Sequence, residues 1–247
     1  MSANPLTISS LTKRYSGKVV LDGLSLTLES GHIYALISDA GAGKTTLLRC
    51  IAGLYRPDSG SITIAGVENG PQARKNLGAL VGEPALIRDL SIRGNLHYQS
   101  RLLGTVPKGR ISTLMKALEI TPRDTGSRSI GGCPAALKLK CAIAVALLNS
   151  PELLLLDNVY SGLDTDSTVL FRTLIETEMQ LRPMAVLMTG NFASEHYPLA
   201  TDYLLLQGGK IVSHITKEDI MAALPDEQPR SAELETLCQS LLKGAVK

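Results

Sequence analysis

"ALISDAGAGKTTLLRC" (residues 35–50) decides how this 247-residue chain is read. An apolar run enters the stretch and a helical pattern leaves it. Between them stand Ser38-Asp39-Ala40-Gly41-Ala42-Gly43-Lys44-Thr45. This is the spacing G-x-x-x-x-G-K-[ST] of a phosphate-holding loop, with Ser38 where the first glycine would be. Glycines let consecutive backbone N–H groups turn inward on phosphate oxygens, and the helix behind adds free donors and its dipole. The expected nucleotide contacts are therefore Gly41, Ala42, Gly43, Lys44, Thr45 and Thr46. Lys44 would reach the β- and γ-phosphates, and the Thr45 hydroxyl would ligate Mg²⁺. Asp39 puts a negative charge beside the loop and is expected to face solvent.

The flanks support a loop between strand and helix. "HIYALI" (32–37) is a continuous apolar run, as in a strand buried on both faces. "KTTLLRCIAGL" (44–54) has helical spacing, with Leu47, Leu48, Ile51 and Leu54 on one face. Farther on, "PELLLLD" (151–157) reads as a second buried strand ending in Asp157, which could hold the water shell of a magnesium ion. "LGALV" (77–81) and "MAVLMT" (184–189) are further strands of the same kind. The opening segment and "SGSITIAGV" alternate in short runs broken by turns, which suggests a small antiparallel layer. From about Ile87 to Leu148 the patterns are helical. "DYLLLQGGKIVSH" (202–214) reads as a hairpin about Gly208-Gly209. Thr216 and Asp219 form a capping pair for one helix, and Leu234, Leu237, Leu241 and Leu242 share a face of the last.

Composition excludes more than it assigns. Lys and Arg number 25 against 23 Asp and Glu, so the net charge of +2 leaves no footprint for a nucleic-acid partner. Cys50, Cys133, Cys141 and Cys238 form no CxxC pair and match no zinc spacing, so they read as small buried hydrophobes in a reducing compartment. "MSANPLTISS" carries no signal pattern, and no apolar run reaches the roughly 18 residues of a membrane span. The chain is expected to be soluble, with any membrane role reached through a partner.

With these motifs in place, the chain resembles the nucleotide-binding subunit of an ATP-binding cassette (ABC) transporter over nearly its full length. "LTKRYSGKVVLDGLSLTLESGHIYALI" is similar to the family's opening strands, "SPELLLLDN" with "SGLD" (161–164) to its Walker B strand and D-loop, and "DYLLLQGGKIV" to its closing hairpin. "LGALVGEPALIRDLSIRGNL" resembles exporters of peptides and antimicrobials, including bacteriocin-immunity cassettes. The resemblance implies an α/β fold: a P-loop NTPase core (1–86 and 149–215) with an antiparallel β subdomain, an inserted α-helical subdomain (87–148) and C-terminal helices (216–247). It places Tyr15 where an aromatic ring stacks on adenine. It implies ATP and Mg²⁺ as cofactors, a transmembrane permease and a second ABC ATP-binding subunit as partners, and a cytoplasmic position on the inner face of the cell membrane.

Four departures from the family pattern bear on chemistry. Asn158 follows Asp157 where the family has its catalytic glutamate, and an amide cannot take a proton from water. Asn191 stands at the switch-histidine position, while His196, five residues on, is expected on a helix as a surface or half-buried side chain. Gly82 replaces the Q-loop glutamine, with Glu83 beside it as a loop charge. The signature loop falls on Cys133-Pro134-Ala135-Ala136-Leu137 without gaps, with Pro134 suited to the first position of the following helix, or on "SIGGC" (129–133) with an insertion. Three readings stay open: a subunit that binds ATP and hydrolyses it weakly or not at all, an active ATPase with atypical motifs, and a soluble ABC-like regulator without a transporter.

Overall fold

The structure, a computed structural model, describes residues 3–104, 106–121, 123–124, 128–224 and 230–244. Strands β1 (Leu6–Tyr15), β2 (Lys18–Leu28), β4 (Ser59–Ile64) and β5 (Val67–Glu68) form an antiparallel sheet in the order β2-β1-β4-β5. Ala65 and Gly66, both with positive φ (51° and 75°), make the tight turn between β4 and β5. This is the small layer expected from the opening alternations.

The second sheet is mixed. Its order is β10-β9-β3-β8-β7-β6, from β10 (Lys210–Thr216), β9 (Asp202–Gln207), β3 (Ile33–Ile37), β8 (Ala185–Gly190), β7 (Leu153–Asp157) and β6 (Leu77–Leu80). All neighbours run parallel except the β9–β10 hairpin. Every residue of β3 and β8 is buried, which explains why, Thr189 apart, their sequences run apolar rather than alternating. Parallel strands end on one edge, and the loops leaving β3, β7 and β8 therefore meet there.

Helix α1 (Lys44–Ile51) follows β3 and packs beneath the sheet through Leu47, Leu48 and Ile51. It stops three residues short of the expected end. Gly53 turns the chain at φ 71°, and Leu54 lies 62% exposed rather than on the buried face. Between β6 and β7 the described residues hold α2 (Ile92–Leu103), α3 (Arg110–Ala117) and α4 (Ala135–Leu147), and no strand. Arg110 of α3 binds Glu178 bidentately at 2.7 and 2.6 Å and caps the Leu147 carbonyl, which ties these helices to α5 (Thr165–Leu181). Helix α5 is capped by Asp164, whose carboxylate accepts from the Ser167 N–H.

The C-terminal helices close over the other face of β3. Helix α6 (Ala193–His196), α7 (Lys217–Ala223) and α8 (Ser231–Gly244) bury Ala193, Tyr197, Ile220, Leu234 and Cys238 against Ala35 and Ile37. The capping box of Thr216 and Asp219 is present. The side chains of Leu241 and Leu242, and residues 245–247, lie outside the described residues. Burial pushes the Cys50 and Cys238 thiols up to about 11 and the Cys141 thiol up to about 12, and all four cysteines are free and buried. No helix among the described residues is long and apolar enough to cross a membrane.

His196 departs most from expectation: it sits on a helix, but fully buried, not at the surface. Its ring meets Tyr160 edge-on at 5.1 Å, and neither ring nitrogen has a protein partner. The sequence hides this because α6 is short and the ring is buried against Tyr160, a residue distant along the chain. Burial, with the nearby Arg172 charge, lowers its pKa from 6.5 to about 4. Between those values the unfolded chain takes up a proton that the folded chain refuses, so stability falls as pH falls through that window. We predict that urea denaturation at pH 7 and pH 4.5 will show wild type losing up to about 1.4 kcal/mol per pH unit more than His196→Leu. Parallel losses in the two proteins would contradict this.

Candidate functional site

The stretch 38–45 lies between β3 and α1, as its pattern requires. Gly41 and Gly43 adopt φ 79° and 110°, a region that side chains rarely enter. A Cβ on Gly43 would also press on Val20 at 3.1 Å. Ser38 has ordinary negative φ, so that position does not require glycine. Its hydroxyl has work of its own: it donates to the Asp39 carbonyl at 3.0 Å and accepts from Lys44 Nζ at 2.8 Å. Asp39 is exposed, as expected of a solvated loop charge.

Lys44 folds back over the loop. Its ammonium donates to the carbonyl of Ser38 at 2.8 Å, to that of Asp39 at 3.3 Å and to Asn191 Oδ1 at 3.1 Å. Burial lowers its pKa, against the opposing pull of Asp157 and Asp39. Among the described residues, no protein acceptor takes the backbone N–H of Gly41, Gly43, Lys44 or Thr45. A row of N–H groups at a helix start, with a lysine beside it, is a cradle for an anion.

The acid at the end of β7 faces this cradle. Asp157 Oδ1 accepts from Thr45 Oγ1 at 3.2 Å and from Thr189 Oγ1 at 2.7 Å. Thr189 is the register partner of Asp157 across the β7–β8 pair, and its hydroxyl also accepts the Asn158 N–H at 3.0 Å. Asn158 stands in the left-handed region at φ 50°, where asparagine is among the tolerated residues. Together these groups line a cavity of about 380 Å³, with Gly41, Gly43, Lys44, Thr45, Thr46, Asp157, Asn158 and Asn191 on its wall. The donor set of a hydroxyl and a carboxylate suits a hard divalent cation.

Other expected residues lie apart. Tyr15 ends β1 outside that wall, 39% exposed and edge-on to Tyr55 at 5.8 Å. Gly82 joins Thr45, Asp157 and Asn158 in an adjoining cleft, whereas Glu83 and Leu86 line the next groove, and Pro84 and Leu139 stand between the two. Helix α4 starts at Ala135, one position later than expected, so Pro134 is its cap rather than its first residue, and Ile130–Gly132 form a separate turn. None of residues 133–137 lines the phosphate-loop cavity. Sequence reasoning missed Thr189, which in a buried strand reads only as a β-branched residue. It also missed Asn95, which is fully buried on α2 and holds the loop 87–91 through Ile87 N–H and the Ile87 and Ser91 carbonyls.

Comparison with known proteins agrees with this geometry. A family described as "ABC transporter" matches residues 21–161. The chain is 29% identical to the ABC transporter ATP-binding protein NatA of Bacillus subtilis, over 96% of this chain and 98% of the relative. It is 30% identical to the lantibiotic transport ATP-binding protein SrtF of Streptococcus pyogenes, over 84% of this chain and 89% of the relative. Its fold superimposes on the solved structure of an ATP-binding subunit of an ABC transporter with a TM-score of 0.82, at 21% identity, covering 98% of this chain and 99% of the other. A match over more than half the chain, a phosphate loop in the geometry its pattern requires and the same fold throughout lead to one conclusion: the chain belongs to the ABC transporter family, as an ATP-binding subunit.

Proposed function

We propose that this subunit binds Mg-ATP through Gly41 to Thr46 and Asp157, hydrolyses it very slowly by itself, and serves an exporter. The observation that carries the reading is the row of unclaimed N–H groups beside Lys44. Those donors and the ammonium hold phosphate oxygens, while Thr45 and Asp157 hold the magnesium and its waters. Tyr15 offers a half-exposed ring to the adenine. The export role is supported by the likeness to a lantibiotic transport protein.

Slow turnover follows from side-chain chemistry. Asn158 lies on the cavity wall but its amide accepts no proton, and loss of a positioned base costs about 10²–10⁴ in rate. Asn191 is neutral and already accepts from Lys44. Pro134 has no N–H, and Ala135 adds a side chain where the family's signature loop approaches a partner's phosphate. In this reading the core (1–86 and 149–215), the helical subdomain (87–148) and the C-terminal helices (216–247) move as a cassette against a second ABC subunit. The pair acts from the cytoplasmic face beneath a transmembrane permease.

Calorimetry with Mg-ATP and a phosphate-release assay test both halves. Wild type should bind and turn over barely above background. Lys44→Ala should remove measurable binding through loss of a charge-assisted contact worth about 1.5–3 kcal/mol. Asn158→Glu should remain slow, because groups that act as a unit are not restored singly. Robust turnover by wild type alone would overturn the slow half, and absence of binding would overturn the whole.

The permease is expected at a groove of about 550 Å³ lined by Glu83, Pro84, Leu86, Arg88, Ile130 and Leu139, among others. Its backbone is stapled by Ile130 N–H to the Leu90 carbonyl and Gly131 N–H to the Arg88 carbonyl, so it is a firm surface for a helix. Ile87→Glu and Leu86→Glu should release the chain from membranes while far-UV circular dichroism stays native. Unchanged co-purification with the permease would exclude the groove.

A further inference from the structure

The loop that carries Asn191 is held from two sides, and one of them is the C-terminal helix. Asn191 and Phe192 are exposed, so the loop depends on its flanks. On the inner flank, Gly190 lies against the buried ring of His196, where a Cβ would overlap Nε2, and that ring packs on Tyr160 of the loop after β7. On the outer flank, Glu235 of α8 accepts both the backbone N–H and the hydroxyl of Ser194, each at 3.0 Å. Ser194 is three residues beyond Asn191, whose Oδ1 accepts from Lys44 at 3.1 Å.

The grip works against an opposing force. Glu195 carries a second carboxyl near Glu235, and burial first, then the Glu235 charge, raises its pKa. Like charges separate unless something holds them, and the two Ser194 donors do so. The same helix buries Leu234 and Cys238 in the cluster that contains Ala35 and Ile37 of β3, the strand that leads into the phosphate loop. Helix α8 thus holds the Asn191 loop directly and shares a core cluster with the strand that leads into the phosphate loop.

We infer that Glu235 is a positioning residue for the nucleotide site: through Ser194 it sets where Asn191 meets Lys44, and so links α8 to nucleotide affinity. The inference rests on the Mg-ATP site proposed above. Linkage is reciprocal, so whatever α8 does for nucleotide affinity, nucleotide does for the docking of α8.

The test measures Mg-ATP affinity by calorimetry, with hydrogen exchange of the amides from Glu233 to Ser240, in wild type, Glu235→Ala and Glu235→Gln. Glutamine keeps an acceptor oxygen for Ser194. Glu235→Ala should weaken Mg-ATP binding about fivefold or more, Glu235→Gln should stay near wild type, and Mg-ATP should slow exchange of α8 in wild type but not in Glu235→Ala. If Glu235→Ala melts lower yet binds Mg-ATP as wild type does, Glu235 is only a cap and the inference fails. Should Glu235→Ala not fold, Ser194→Ala removes one donor and should weaken binding in the same direction; unchanged affinity overturns the inference. Wild type failing to bind Mg-ATP overturns the site itself and the inference with it, and that result shows in the wild-type arm alone.

Discussion

One carboxylate oxygen ties the site together. Asp157 Oδ1 receives hydroxyls from Thr45, the second residue of α1, and from Thr189, near the end of β8. The phosphate loop, β7 and β8 thus meet at one atom, and each constrains the others. The bonds form because parallel strands end in register: Asp157 and Thr189 are paired residues, and β3 delivers the loop to the same edge. Shift any of the three strands by one residue and the side chains point to opposite faces. The buried apolar strands hold that register, and the polar node uses it.

Lys44 shows how the loop keeps its shape around a charge. Four acceptors from Ser38, Asp39 and Asn191 surround the ammonium. A half-buried ammonium left without acceptors would be costly. Ser38 supplies two of these acceptors, so the residue that breaks the glycine pattern helps to seat the lysine. Replacement of a glycine by serine is tolerated here because the backbone at that point is not left-handed, whereas the φ values of Gly41 and Gly43 leave no such latitude.

Much of this was legible in the sequence. The loop, the two buried strands beside it, the hairpin about Gly208-Gly209 and the capping box each follow from local spacing and local chemistry. What escaped reading depends on contacts between distant segments. Asn95 looks like a surface residue on a helix, yet it is buried and satisfies the backbone of the loop before it. His196 looks like a surface residue, yet its ring is buried against Tyr160 from the loop after β7. Leu54 fits the apolar stripe of α1, but Gly53 turns the chain before the stripe can use it. Periodicity reports what a helix would bury if it continued, and not where it stops.

The packing of Gly190 against His196 has a consequence for how this chain can vary. The two residues compete for one volume, and the imidazole cannot retreat because Tyr160 stands at its edge. A side chain at 190 is therefore admissible only with a smaller residue at 196. Among relatives, alanine or larger at the first position should travel with loss of the ring at the second, and the histidine should appear only where glycine precedes the loop. Two positions on opposite sides of a short turn thus form a single unit of inheritance, coupled by the space they share.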